Sequence, residues 1–437
     1  MPPIVVQNET LLPYMTNRYD RAGLRRLRRF LEQQGTFAFR PLRTHLFPAA
    51  VVTRSKRHSG YHHVWVRDNV HVSHALYVAG KVRTAARIMA ALMQFYGRYR
   101  HRFNDVIDGR VKPANAMSRP HVRFNGVTMQ ESRETWAHAQ NDALGYFLWM
   151  YCLLASGNAL TPSRADVETL SLFSLYFHAI RYWADEDSGH WEETRKIEAS
   201  SIGVVVAGLA KLRSFLSAGR AGASLSGRHP LVTDSFLARL ERRGRKALNR
   251  ILPRECIQTS TAKRRLHDAA LLFLVYPLQV VGDAMSRRLL GDIAEHLEGP
   301  YGIKRYEGDS YWAADYKVKL RPAERTSDFS YTIALRNKLL VPGQEAQWCL
   351  FDPIMSAAYG RSYRRTGRQA DLDHQTYYFN RSLGQLTGKV TGVREFQCPE
   401  AYYLERGRYV PNDQTPLLWT QANLLVAFTL MEESISM

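Results

Sequence analysis

Residues 65–79, WVRDNVHVSHALYVA, run from a polar-aromatic loop straight into a segment of helical period, and residues 136–155, WAHAQNDALGYFLWMYCLLA, do the same. In both, apolar residues recur three and four apart instead of alternating, so they predict helices over 69–79 and 138–155. Working outward, each is followed by a second helical segment, at 83–99 and 164–183. The pattern continues with 197–216 and 233–251, then 266–275 and 282–297, then 344–365 and 368–386. The run 415–433 has no mate after it, and 21–33 near the N-terminus supplies one. Twelve helices in six pairs follow. A helical hairpin cannot bury both faces alone, so neighbouring hairpins stack to make the core. An open stack needs polar caps at both ends. First and last segments that complement each other predict a closed, all-α ring instead. It is a single domain over 1–437, with the helix of the 1–50 segment packed against the ring.

Bulk properties fit a globular chain. Of 437 residues, 45% are apolar and 23% charged, both ordinary values. The formal net charge of +20 makes a polyanionic partner conceivable, but no nucleic-acid-binding motif accompanies it, so it reads as a solvated, arginine-rich surface. Much of it falls in 220–254. No secretory signal pattern opens the chain, and no membrane span is expected. Cys152, Cys256, Cys349 and Cys398 are dispersed with no C-x-x-C pair, which points to a reduced, cytoplasmic protein.

The unusual residues sit in the loops before the first helix of each pair. They are WVRDN at 65–69, WAHAQND at 136–142, HWEE at 190–193, RYEGD at 305–309, EAQW at 345–348 and PEAYY at 399–403. If alternate helices run the same way, these loops share one end of the ring, where a rigid scaffold presents binding groups. Trp65, Trp136, Trp191, Trp348 and Trp419 offer flat apolar faces. Arg67, Asp68, Arg305 and Asp309 offer charge-assisted hydrogen bonds. A sugar, with an apolar ring face and a fringe of hydroxyls, suits that mixture. No Gly-rich phosphate loop is present. His58, His62, His63, His71 and His74 lack a third ligand at clear spacing, so no metal and no cofactor are expected.

In these residues the chain resembles glycoside hydrolase family 15, the glucoamylase family, together with the related N-terminal domains of phosphorylase kinase α and β subunits. Five segments carry the likeness: the W-x-R-D of 65–68, Phe124-Asn125 with Trp136 and 140–142, the W-E-E of 191–193 with Ser200-Ser201, the weaker Arg305-Tyr306, and Pro399-Glu400 followed by Trp419. The resemblance implies an (α/α)6 toroid with its site at one end. It also implies inverting hydrolysis at the non-reducing end of an α-glucan or oligosaccharide. Glu192 is then the general acid and Glu400 the general base, facing each other across one cavity. Arg67, Asp68, Glu193 and Arg305 hold the terminal glucose, and Trp136 packs on the sugar near the cleavage point. Trp65, Gln140, Asp142, Trp191, Trp348 and Trp419 complete the substrate-binding set. Glu193 beside Glu192 is expected to raise the acid's pKa.

The sequence departs from the family in two places. Gly126-Val127 stands where an acidic residue is common, and 311–342 is a long insertion expected to reshape the rim. A non-catalytic, glucan-sensing protein similar to the kinase subunits is the competing reading.

Overall fold

The computed structural model describes residues 2–50, 60–218, 227–322, 324–327, 332–389 and 393–436; His58 and part of the basic stretch 220–254 lie outside them. In chain order the helices are α1 (Arg21–Gln34), α2 (Val66–Val78), α3 (Val82–Arg98), α4 (Arg100–Ile107) and α5 (Asn141–Ser156). Next come α6 (Arg164–Ala179), α7 (Ala199–Ser217), α8 (Asp234–Ile251), α9 (Leu272–Val275) and α10 (Asp283–His296). The chain ends with α11 (Tyr316–Lys319), α12 (Ile333–Asn337), α13 (Asp352–Thr366), α14 (Gln369–Gly384) and α15 (Leu418–Ile435).

Six of these close a ring. Helix α2 packs on α5, α5 on α7, α7 on α9, α9 on α13, α13 on α15, and α15 back on α2. Composition explains which helices go inside. Fourteen of the sixteen residues of α5 are buried, because it is apolar around its whole circumference and has neighbours on every side. Helix α1 is amphipathic and buries only Leu24, Leu27 and Leu31, spaced three and four apart on one face. That face packs with Phe379 and Leu383 of α14 and with Leu424, Phe428 and Met431 of α15. Helices α3, α6, α8, α10 and α14 form the rest of the outer layer. The exposed arginines of α8, among them Arg239, Arg242 and Arg243, face outward. Helix α7 is long and apolar enough to cross a bilayer by composition, yet it is an inner wall and mostly buried. Gly145 allows α5 and α7 to approach: a Cβ there would lie 2.9 Å from the Val204 carbonyl carbon and the Val205 nitrogen.

Two small antiparallel sheets lie at the end of the ring where α2, α13 and α15 begin. One joins β1 (Val64–Trp65), β2 (Arg123–Asn125) and β3 (Gln130–Glu131). The other runs in the order β4 (Glu298–Gly299), β5 (Gly302–Ile303), β6 (Gln347–Trp348), β7 (Ala401–Glu405) and β8 (Arg408–Pro411). Two of the expected helices are corrected. Residues 344–365 are helical only from Asp352, because Gln347 and Trp348 pair instead with Tyr402 and Ala401. The segment 266–275 is a single short wall, a 3-10 turn Ala269–Leu271 running into α9.

Candidate active site

The loops that lead into the inner helices meet in one cavity of about 80 Å³. Its lining includes Trp65, Arg67, Asp68, Trp136, Trp191, Glu192, Arg305, Trp348, Glu400 and Trp419. Residues more than 350 positions apart in sequence are thus neighbours. Local structure explains how each gets there. Strand β1 ends at Trp65, and the chain turns directly into α2, so Arg67 and Asp68 occupy its first turn. The register of β6 against β7 pairs Trp348 with Ala401, and the Cys349 N–H donates to the Glu400 carbonyl at 3.0 Å. That pairing holds Glu400 beside Trp348. The Arg123 guanidinium stacks on Trp136, 3.8 Å from its ring centroid.

Glu192 sits just after a 3-10 turn, Gly189–Trp191, with φ 57° and ψ 43°. A non-glycine residue in this left-handed region costs about 1–3 kcal/mol. Such strain persists where the surroundings fix it, and here they do. A Cβ on Gly189 would collide with the Glu198 carboxylate, which closes the turn from behind. Only 15% of the Glu192 side chain is exposed, and Arg67 Nη2 donates to its Oε1 at 2.5 Å. Burial pushes the Glu192 carboxyl up to about 8; Arg67 pulls it down, and Asp68 and Asp142 push it further up. Asp68 is itself raised by burial to about 6, with Arg67 opposing.

Glu400 differs in its hydrogen bonds. Tyr61 donates its hydroxyl to Oε1 at 2.7 Å, and the Asn412 amide donates to Oε2. Both bonds favour the ionised form. Burial nonetheless raises Glu400 to about 7, against the pull of these two donors and Arg305. The Tyr61 hydroxyl also lies 3.1 Å from that of Tyr311.

Three residues expected to touch substrate stand behind the cavity wall. Gln140 and Asp142 accept from Arg67 Nη1 at 3.2 and 2.6 Å; they aim the arginine and do not line the cavity. Glu193 is buried on the far side of the Glu192 backbone. Tyr306 donates to it at 2.6 Å and Arg305 at 3.0 Å, and Arg336 forms a third close bond. Burial alone would raise its pKa, but Arg336, Arg305, Arg265 and Lys196 hold it far below the usual carboxylate range. The expectation that Glu193 lifts the pKa of Glu192 is therefore corrected. Its charge is spent on the arginines, and the lift comes from burial, with Asp68 and Asp142 adding to it. Glu193 fixes Arg305, which Asp309 also clamps through two bonds of 2.6 Å. Arg305 is boxed by the rings of Trp348, Tyr311 and Trp191 at 4.7, 5.0 and 5.1 Å. The Trp191 indole N–H is anchored on Asp268 at 2.9 Å.

Sequence reasoning missed Tyr61, Tyr311, Arg336 and Asn412. The insertion 311–342 supplies Tyr311, Thr326, Ser327 and Arg336 to the lining. Tyr61 lies four residues before the W-x-R-D loop, a position that was the only available signal. Asn412 enters by pairing with Ala401, its N–H donating to the Ala401 carbonyl at 3.0 Å. His71 of α2 packs among Tyr146, Phe273 and Trp419, and His74 against Trp149 and Tyr276, so both are parts of the aromatic core.

Comparison with known proteins agrees with this architecture. Among solved structures, a wild-type glycosidase superimposes with a TM-score of 0.65 at 18% identity, covering 95% of this chain and 99% of that one. A variant glycosidase in complex with glucose gives 0.65 at 16%, covering 96% and 99%. The glucoamylase from Saccharomycopsis fibuligera gives 0.55 at 12%, covering 97% and 99%. They share the (α/α)6 barrel. A probable phosphorylase b kinase regulatory subunit alpha from Caenorhabditis elegans is 26% identical over 413 residues, 85% of this chain. The chain spans only 31% of that relative's length. The model of glycosyl hydrolases family 15 matches residues 44–312. That match takes in more than half of the sequence, and the chain belongs to glycosyl hydrolases family 15.

Proposed function

We propose that this protein hydrolyses the terminal α-glucosidic bond of a glucan or oligosaccharide with inversion. One observation carries the reading: Glu192 and Glu400 line a single cavity, and while burial raises both, the hydrogen bonds from Tyr61 and Asn412 draw Glu400 back toward its ionised form. Inverting hydrolysis needs one carboxyl that keeps its proton for the leaving oxygen and one ionised to take a proton from water. Glu192, raised to about 8, suits the acid. Glu400, lower at about 7 and holding two hydrogen-bond donors, suits the base. Arg67 and Asp68, which both line the cavity, are assigned in this reading to the hydroxyls of the terminal sugar. Trp65, Trp136, Trp348 and Trp419 supply faces for the ring. Binding then supplies the orientation of the reacting atoms.

A screen of α-glucosides for reducing-sugar release, with the first-formed anomer read by NMR, tests this directly. β-Glucose as the initial product is the expected result. Initial α-glucose would mean retention and overturn the mechanism. The likeness to a probable kinase regulatory subunit favours a second reading, a glucan sensor without turnover. Binding of maltotriose with no glucose released would establish that reading instead.

The pH profile follows from the same two groups. Activity requires Glu192 protonated and Glu400 ionised. The rate should fall below about 7 as Glu400 gains its proton, and above about 8 as Glu192 loses its own. A narrow bell around neutrality is expected in kcat/KM. Tyr61→Phe removes a donor that favours ionised Glu400, so the acid limb should move up by about one unit while the alkaline limb stays. An unmoved acid limb would detach it from Glu400.

A further inference from the structure

The turn that presents Arg305 to the cavity carries, on its outer side, a group of residues that glycoside hydrolysis does not use. His267 lies just before the 3-10 turn Ala269–Leu271, His296 is the last residue of α10, and Glu307 follows Tyr306. They come from three separate elements, yet one potential ligand atom of each lies within 4.8 Å of the other two. The two imidazoles are parallel, with centroids 3.9 Å apart and planes 5° apart. His267 Nδ1 faces Glu307 Oε2 at 3.7 Å, too far for a hydrogen bond. That nitrogen is enclosed and has no hydrogen-bond partner among the described residues. An enclosed, unbonded nitrogen is costly, and here it lies beside a carboxylate that does not satisfy it.

We infer that His267, His296 and Glu307 form a site for a divalent transition-metal ion of the zinc class. Two imidazoles and one carboxylate suit zinc, cobalt, nickel or copper, and are a poor set for calcium or magnesium, which prefer oxygen ligands. In a tetrahedral site with bonds of roughly 2.0–2.2 Å the ligand atoms lie about 3.4 Å apart. Binding requires one imidazole to turn out of the stack, because parallel rings aim their in-plane lone pairs along separate planes. The Glu307 side chain is 57% exposed, so a water completes the shell. The neighbouring cation Arg265 is already neutralised by Asp268 and Glu193, and Lys304 lies 3.5 Å from Glu345. A bound ion would fasten the 305–309 turn to the segment ending at Asp268. The first carries Arg305 and the second anchors Trp191, so the ion is a clamp behind the sugar-facing wall.

Untagged full-length protein, stripped with chelator and dialysed against Zn²⁺, should retain one ion per chain by elemental analysis. Co²⁺ in its place should give the visible absorption of a tetrahedral site. His267→Ala and His296→Gln should each lower Zn²⁺ affinity by at least roughly tenfold in calorimetric titration, with Mg²⁺ and Ca²⁺ failing to compete. His296 is half-buried at a helix end, so its variant keeps the test sound if His267→Ala does not fold; far-UV circular dichroism separates the two cases. Absence of retained zinc, or equal affinity in a folded His296→Gln variant, would overturn the site. None of these readouts depends on glucose release.

Discussion

Glu192→Gln should cut turnover of maltooligosaccharides by about 10²–10⁴-fold, the usual worth of a positioned proton donor, while leaving their binding largely intact. Glutamine keeps the shape and still accepts from Arg67, but it has no proton to give. Glu400→Gln should lose a comparable factor for the opposite reason, since it cannot take a proton from water. The leaving group tells the two apart. A 4-nitrophenyl α-glucoside departs without protonation, so Glu192→Gln should recover much of its rate on that substrate and Glu400→Gln should not. Equal loss on both substrates by Glu192→Gln would reject the acid assignment. A stability readout accompanies this. The folded-state pKa of Glu192 is raised from 4.5 to about 8, so folding takes up a proton between those values. That contribution is lost as pH rises through the window. Glu192→Gln should therefore gain melting temperature relative to wild type at pH 8, and less at pH 5.

The second large effect is on folding. Glu193→Gln should destabilise the protein by about 3–5 kcal/mol, the usual result of removing one partner from a buried charge network. Arg305 and Arg336, both buried, would lose the carboxylate they share. The pH dependence has the opposite sign to that of Glu192. The folded-state pKa of Glu193 lies far below its usual 4.5. The stability it contributes is present above that value and is lost as pH falls further. The gap in melting temperature between wild type and variant should be wide at pH 7 and narrow steadily below about 4. A constant gap from pH 7 to pH 3 would show that the charge of Glu193 is not what holds the arginines.

The helical hairpins were legible because inner and outer helices carry periodic apolar runs long enough to read, as in α5 and α7. The strands were not. Strands β1, β3, β4, β5 and β6 have two residues each, shorter than any alternation can reveal. They still decide the site, since the β6–β7 register sets Glu400 beside Trp348. The candidate carboxylates Glu192 and Glu400 stood out through their motifs. The division of labour between Glu192 and Glu193 could not be read, because it depends on a left-handed residue that turns adjacent side chains into different surroundings. Tyr61 and Asn412 were hidden because their importance lies in reaching a carboxylate 339 and 12 positions away. His267 and His296 are 29 positions apart in the sequence, at no recognisable ligand spacing.

The closure of the ring by α15 against α2 has a consequence for biosynthesis. Arg67 and Asp68 leave the ribosome before Glu192, and Glu192 before Glu400 and Trp419. The wall formed by α15 packs directly on α2. A nascent polypeptide therefore has no finished pocket, and α2 keeps an unburied face, until α15 has been made. Partly made chains should depend on chaperone cover for that interval, and truncation before α15 should yield aggregation-prone fragments.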